Sequence, residues 1–241
     1  MVMKTLASLG VIFVSVLAAA GEEPDALYRQ REDLANATRA AQMWSTHAAD
    51  DYESAWKLAR AAYWIGGHAP EGERRAALER GITAGETAVR LGPDRPEGHY
   101  WLAADMGALA ESSGLTQGLK YRSRIRNELE RVMAIDPAWE QASAVTALGR
   151  WYYLVPRLFG GSRSKADEHF RRALEQFPTS MTALLFLSES LTSQHKTAEA
   201  RQLLQRVIDA PIEPEWAPED RDFKRQAADR LRALAAGAPK P

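Results

Sequence analysis

The sequence predicts an all-α protein, built as a solenoid of irregular helix pairs and ended by a C-terminal capping helix. Three observations predict it. Alanine, leucine, glutamate and arginine dominate, while Thr, Val and Ile are sparse, a profile that favours helices over strands. No stretch alternates apolar and polar residues with period two, so no sheet is expected. Similar phrases, each following an amphipathic run, end in proline: Ala-Val-Arg-Leu-Gly-Pro at Pro93, Val-Met-Ala-Ile-Asp-Pro at Pro137, Ala-Leu-Glu-Gln-Phe-Pro at Pro178 and Arg-Val-Ile-Asp-Ala-Pro at Pro211. Proline just past a last turn cannot continue the hydrogen-bond ladder, so each marks a helix end.

The prolines lie 44, 41 and 33 residues apart, the last close to the tetratricopeptide period of about 34. The expected unit is therefore a tetratricopeptide-like helix pair. A helix from about Asp25 to His47 precedes the repeats. The first repeat, near 50–93, pairs a Trp56, Ala59, Tyr63 helix with a Gly81–Leu91 helix. The second, near 97–137, pairs Glu97–Glu111 with Leu119–Ile135, whose Ile125, Leu129 and Val132 face inward; its extra length sits around Gly114 and Gly118. The third, near 140–178, sets Val145, Leu148, Gly149 and Tyr152 against Ala166, Phe170 and Ala173, with a long turn at Phe159, Gly160 and Gly161. The fourth, near 181–212, sets Leu184, Leu187, Ser188 and Leu191 against Ala200, Leu204 and Val207. Ser188 and Ala200 are the small positions where the paired helices approach. A helix over 219–236 carries Phe223, Ala227 and Leu231 on one stripe and polar residues elsewhere, as a capping helix should.

The N-terminus reads as an address. Lys4 precedes an apolar run, Leu6–Ala20, closed by Gly21, Glu22, Glu23 and Pro24. That is the pattern of a secretory signal peptide cleaved near Ala20. The run is shorter than the roughly 20 apolar residues that a spanning helix requires. Residues 21–241 are then one exported repeat domain, periplasmic in a Gram-negative cell. The chain has no cysteine and a net charge of -1. The first excludes a disulfide scaffold, a thiolate nucleophile and a lipid-modified cysteine. The second leaves no global pull toward nucleic acid.

No constellation of catalytic residues stands out. The five histidines (His47, His68, His99, His169 and His195) include no i, i+4 pair, so no helical zinc site is expected. A phosphate-cradling loop and a Gly-x-Ser-x-Gly elbow are both lacking. Ser-x-x-Lys occurs at Ser162–Lys165 and at Ser193–Lys196, in both cases where a serine can cap a following helix. Gly66–His68 and Gly160–Ser162 read as turns. Asp50/Asp51 and Glu219/Asp220 fall near helix starts, where the dipole favours acids. The expectation is a protein that is not an enzyme and uses no cofactor or metal. The aromatic runs His99-Tyr100-Trp101 and Trp151-Tyr152-Tyr153 are more informative. Consecutive residues cannot all face one side of a helix, so some meet a neighbouring repeat, a long turn or a ligand. Core packing and an aromatic-lined groove both remain open.

Several motifs together resemble a known family. They are Gly98-His99-Tyr100-Trp101-Leu102-Ala103 with Gly107, Asp136-Pro137, and Leu148-Gly149-Arg150-Trp151-Tyr152 with Pro156, Phe159-Gly160-Gly161-Ser162, Ala166 and Ala173-Leu174. The set is similar to the TatT component of periplasmic tripartite (TRAP) transporters, and to eukaryotic regulators of microtubule dynamics in the same repeats. The resemblance implies a non-catalytic homotrimer with a central pore. It implies contact with the periplasmic solute-binding protein and the handling of small hydrophobic ligands. On it, His99, Tyr100, Trp101, Trp151, Tyr152, Tyr153, Phe159, Gly160 and Gly161 are the candidate partner- or ligand-binding residues. The alternatives are a periplasmic scaffold that takes a peptide or protein in its groove and, last, an enzyme.

Overall fold

The computed structural model describes residues 23–112 and 115–237. The expected signal segment and Gly114 lie outside the described residues. Helices run in the order α1 (Pro24–Arg29), α2 (Leu34–Ser45), α3 (Tyr52–His68), α4 (Glu71–Leu91), α5 (Pro96–Ser112), α6 (Leu115–Ile135), α7 (Trp139–Leu154), α8 (Arg163–Gln176), α9 (Met181–Ser193), α10 (Thr197–Asp209) and α11 (Ala217–Ala235). Single 3-10 turns, Arg157–Phe159 and Pro214–Trp216, precede α8 and α11. No strand occurs among the described residues. The protein is an all-α, tetratricopeptide-like solenoid.

Side chains begin several helices. Asp33 accepts a hydrogen bond from the Ala35 amide, Asp51 from the Ser54 amide at 2.7 Å, and Ser162 from the Lys165 amide at 3.3 Å. Each satisfies an amide that lacks a partner in the first turn. Consecutive pairs bury matching stripes. In α9 and α10, Leu184, Leu187 and Leu191 meet Ala200, Leu204 and Val207, with Phe170 of α8 and Ala227 of α11 completing the cluster. Each fully buried Leu or Phe contributes about 1.5–3 kcal/mol. Ser188 is buried at the predicted close approach, and its hydroxyl donates to the carbonyl of Leu185.

The structure differs from the sequence reading at four points. The expected Asp25–His47 helix is two helices, because the Trp64 indole takes the Arg31 carbonyl at 2.7 Å and Asp33 starts a new ladder. Gly66 and Gly67 are not a turn; they lie inside α3, where a Cβ on Gly66 would meet Leu78 at 2.5 Å. Ser193 does not cap α10, since its hydroxyl donates back to Ser190 and the turn is made by His195 at φ 61. Helices α4 and α6 start earlier than expected, at Glu71 and Leu115: in α4 the charged stretch Glu71–Arg80 hides the continuing periodicity, and in α6 Gly118 is a helix residue and not part of the loop.

The ends of the solenoid meet. Arg31, which is 1% exposed, inserts between Tyr28 and Trp64. Its Nε donates to Glu219 Oε1 at 2.8 Å, and its Nη2 donates to the other oxygen of Glu219 and to the Glu215 carbonyl. Arg221 pairs with Glu32 at 2.5 Å, and Arg60 lies 3.6 Å from Glu215. The α11 end is thereby tied to the α1–α2 corner, across 188 residues of chain, and the superhelix closes on itself.

Candidate functional site

Closure of the ring leaves a cavity of about 720 Å³ inside the superhelix, within the range of sites that enclose small molecules. Its lining comes mainly from the first helix of each pair, at positions four apart. Tyr100, Ala104 and Ala108 form one such row on α5, and Trp139, Ser143 and Ala147 form another on α7. The aromatic residue stands at one end of each row, and the small residues leave the space beyond it. Tyr63, Phe186, Trp216 and Phe223 line the cavity from α3, α9 and the C-terminal segment.

The candidate residues separate into groups. Tyr100, Trp101 and Trp151 line the cavity. The Tyr100 ring lies 4.9 Å from Trp139 and 5.1 Å from Trp101, which in turn meets Tyr63 at 5.7 Å. The Trp151 indole donates to the Arg122 carbonyl at 2.8 Å, so its orientation is fixed. His99 faces away and is fully engaged. Its Nδ1 lies 2.5 Å from Glu128 and its Nε2 lies 3.0 Å from the Pro93 carbonyl. Both partners are acceptors, an arrangement that favours the doubly protonated ring. Burial works against that charge, but Glu128 and the Pro93 carbonyl outweigh it and hold the imidazole above its ordinary pKa. Tyr152 stacks on His169 at 5.4 Å, and Tyr153 lies under the Arg163 guanidinium at 4.1 Å. Both lie outside the cavity lining, as do Phe159, Gly160 and Gly161. Gly160 sits at φ +103, and a Cβ on Gly161 would fall 1.6 Å from the Val155 carbonyl oxygen. The Phe-Gly-Gly-Ser loop therefore requires its glycines for backbone geometry.

Sequence reasoning missed Trp139, Phe186, Trp216 and Phe223 as lining residues. The signal that could have found two of these walls is the aromatic-small-small row at i, i+4, i+8 in α5 and α7.

Most charges at the lining are compensated. Arg150 pairs with Glu189 at 3.0 Å and Glu111 at 3.2 Å, and it lies over the Phe186 ring. Burial disfavours its charge, but the two carboxylates outweigh that and raise its pKa. Burial pushes the Tyr100 hydroxyl up to about 12 and raises the Glu140 carboxyl above its ordinary value, with Arg60 pulling the latter back. Thr146 is 2% exposed, and its hydroxyl has no protein partner. At the start of α7, Glu140, Gln141 and Ala142 take left-handed backbone angles, with φ 46, 56 and 58. Such angles cost about 1–2 kcal/mol per residue, so strain is held at the cavity wall. No group of three or more His, Asp or Glu among the described residues is placed to hold a metal. The arrangement is suited to enclosing an apolar guest.

Comparison with known proteins follows the same line. Residues 21–235 match the family described as regulator of microtubule dynamics protein 1–3. The chain belongs to this family. Regulator of microtubule dynamics protein 3 of Rattus norvegicus is 24% identical over 173 residues, 65% of this chain and 36% of that protein. This family member thus spans about a third of the length of the curated relative it matches. Among solved structures, TTC0263, a thermophilic TPR protein of Thermus thermophilus, superposes with a TM-score of 0.65 at 21% identity, covering 87% of this chain and 97% of the other. MamA superposes with a TM-score of 0.49 at 17% identity, over 85% of this chain and 98% of its own. The likeness to the Thermus protein establishes the tetratricopeptide-type fold of this family member.

Proposed function

We propose that the chain is a non-catalytic helical-repeat protein that is exported and encloses a small apolar guest in its central cavity. It then acts with a periplasmic solute-binding protein as a TatT-like accessory of TRAP-type uptake. The observation that carries the reading is the aromatic cavity inside the superhelix, whose ends are joined by the contact between α11 and the α1–α2 corner. The signal-type N-terminus and the Phe-Gly-Gly-Ser loop support the transport role. The cavity volume of about 720 Å³ and its aromatic lining favour a small guest over the alternative of a peptide scaffold. The relative's name refers to microtubule dynamics, whereas the signal-type N-terminal segment favours export.

The test has two arms. An apolar fluorescent probe should be taken up by the protein, and the substitution Ala104→Trp, which fills the cavity beside Tyr100, should abolish that uptake. The mass in solution should correspond to three copies, and it should rise when the host's solute-binding protein is added. Unchanged mass in the presence of that protein would remove the transport role. Probe uptake that ignores Ala104→Trp would remove the cavity. Co-sedimentation with microtubules in place of either result would return the chain to the activity in its relative's name.

A further inference from the structure

A second feature adjoins the cavity, on the turn between α7 and α8. The 3-10 turn Arg157–Phe159 projects from the solenoid. Leu158 at its tip is 87% exposed, and Leu154 and Phe159 beside it are 42% and 36% exposed. Leu158 is the most exposed large apolar side chain among the described residues. The base of the turn holds it stiffly. The Gly161 amide donates to the Pro156 carbonyl, and the Ser162 amide donates to the Tyr152 carbonyl at 2.9 Å. The tip is therefore presented by the fold.

Cations surround it. Arg122 lies over the Phe159 ring at 5.4 Å, and Arg126 lies over Trp151 at 5.8 Å. Lys165 lies over Tyr152 at 5.3 Å and Arg163 over Tyr153 at 4.1 Å. Arg157 is in the turn itself. Of these, Arg126 pairs with Glu130 at 3.5 Å, while Arg122, Arg163 and Lys165 bond to neutral groups or rest on aromatic faces. The whole chain carries a net charge of -1, so this concentration is local. It combines a convex apolar tip, a collar of cations and aromatic rings beneath them. A convex tip does not receive a guest. It enters a soft, flat, negatively charged surface, with leucine below the headgroups and the cations among the phosphates. No described helix is long and apolar enough to cross a membrane, so such contact is peripheral.

We infer that the Pro156–Gly161 turn is a membrane-contact tip, which docks the solenoid on anionic phospholipid through Leu158 and the surrounding Arg122, Arg157, Arg163 and Lys165. Arg122 and Pro156 also line the cavity, whereas Arg157, Leu158, Arg163 and Lys165 do not, so the inference needs neither a cavity guest nor a solute-binding partner.

Vesicle flotation of the full chain tests it, using phosphatidylcholine with and without phosphatidylglycerol. The N-terminal apolar run is common to every variant, so only differences between variants are read. Wild type should partition more strongly onto the anionic vesicles, and added salt should weaken that excess. Arg157→Gln should lower the anionic partition about five-fold, as expected for one surface cation. Leu158→Asp should lower it by at least as much, while binding to neutral vesicles of the Arg157→Gln protein should not change. Leu158 is almost fully exposed, so the thermal midpoint of its variant should match wild type, and Arg157→Gln carries the test if it does not. Equal partition of wild type and both variants, or no effect of phosphatidylglycerol, overturns the inference. So does unchanged partition with loss of an acidic protein partner, which would make the tip a protein interface.

Discussion

Arg31→Ala is the most direct test of how the solenoid closes. Arg31 is 1% exposed, and the Glu219 side chain is 19% exposed. Burial raises the Glu219 carboxyl, and Arg31 pulls it back. Removing the guanidinium leaves that carboxylate partly buried without its partner, and it strands the Glu215 carbonyl that Arg31 also holds. Breaking a buried pair from one side costs about 3–5 kcal/mol. The remaining access of Glu219 to water places the expected loss at the lower end, about 3 kcal/mol. For a domain of this size that is a fall of roughly 6–12 °C in the midpoint. Urea unfolding followed by circular dichroism measures the energy. Hydrogen exchange should show α1 and α11 losing protection first, because the pair joins those segments. Glu219→Ala should behave similarly, and the coupling from the double variant should exceed about 1 kcal/mol in the manner of contacting residues. If each single variant lies within about 0.5 kcal/mol of wild type, as an ordinary surface change would, the pair does not hold the ring closed.

Two further outcomes follow from the same structure. Asp105 is 0% exposed, both of its carboxylate oxygens lack a partner, and burial raises its pKa well above the ordinary value. Its contribution is therefore present below the unfolded pKa, near 3.8, and is lost as pH rises toward the folded value. The stability of Asp105→Asn relative to wild type should improve with pH above about 4, by up to about 1.4 kcal/mol per unit; parallel urea midpoints from about pH 4 to 8 would contradict this. Among helix glycines, a Cβ on Gly85 would lie 2.9 Å from the Leu102 Cα, whereas one on Gly107 meets nothing within 4 Å. Gly85→Ala should cost about 1–3 kcal/mol by overpacking. Gly107→Ala should gain about 0.5–1 kcal/mol from helix propensity, and equal unfolding midpoints for the two would show that the α4–α5 contact is looser than it stands here.

Much of the fold was legible because it is local. Prolines end the helices, and the spacing of Leu184, Leu187 and Leu191 states which face is buried. The cavity lining was legible only in part. The paired aromatic runs pointed to Tyr100, Trp101 and Trp151, which line the cavity, and equally to His99, Tyr152, Tyr153 and the Phe159–Gly161 loop, which do not. A run of adjacent aromatics has the same appearance whether its members face a cavity, a neighbouring helix or a cation. Phe223 was read as part of a terminal cap, and nothing in its local pattern, or in that of Trp216 before it, says what that cap touches.

The sequence by itself determined the helices, their order and the stripes that pair them, since these depend on residues three and four apart. Only the tertiary structure decided that the array closes. The curvature of a solenoid is summed over every packed pair, and no short window contains that sum. It brings Arg31 onto Glu219 across 188 positions. With the ends joined, a row of aromatic and small side chains becomes one wall of a central cavity.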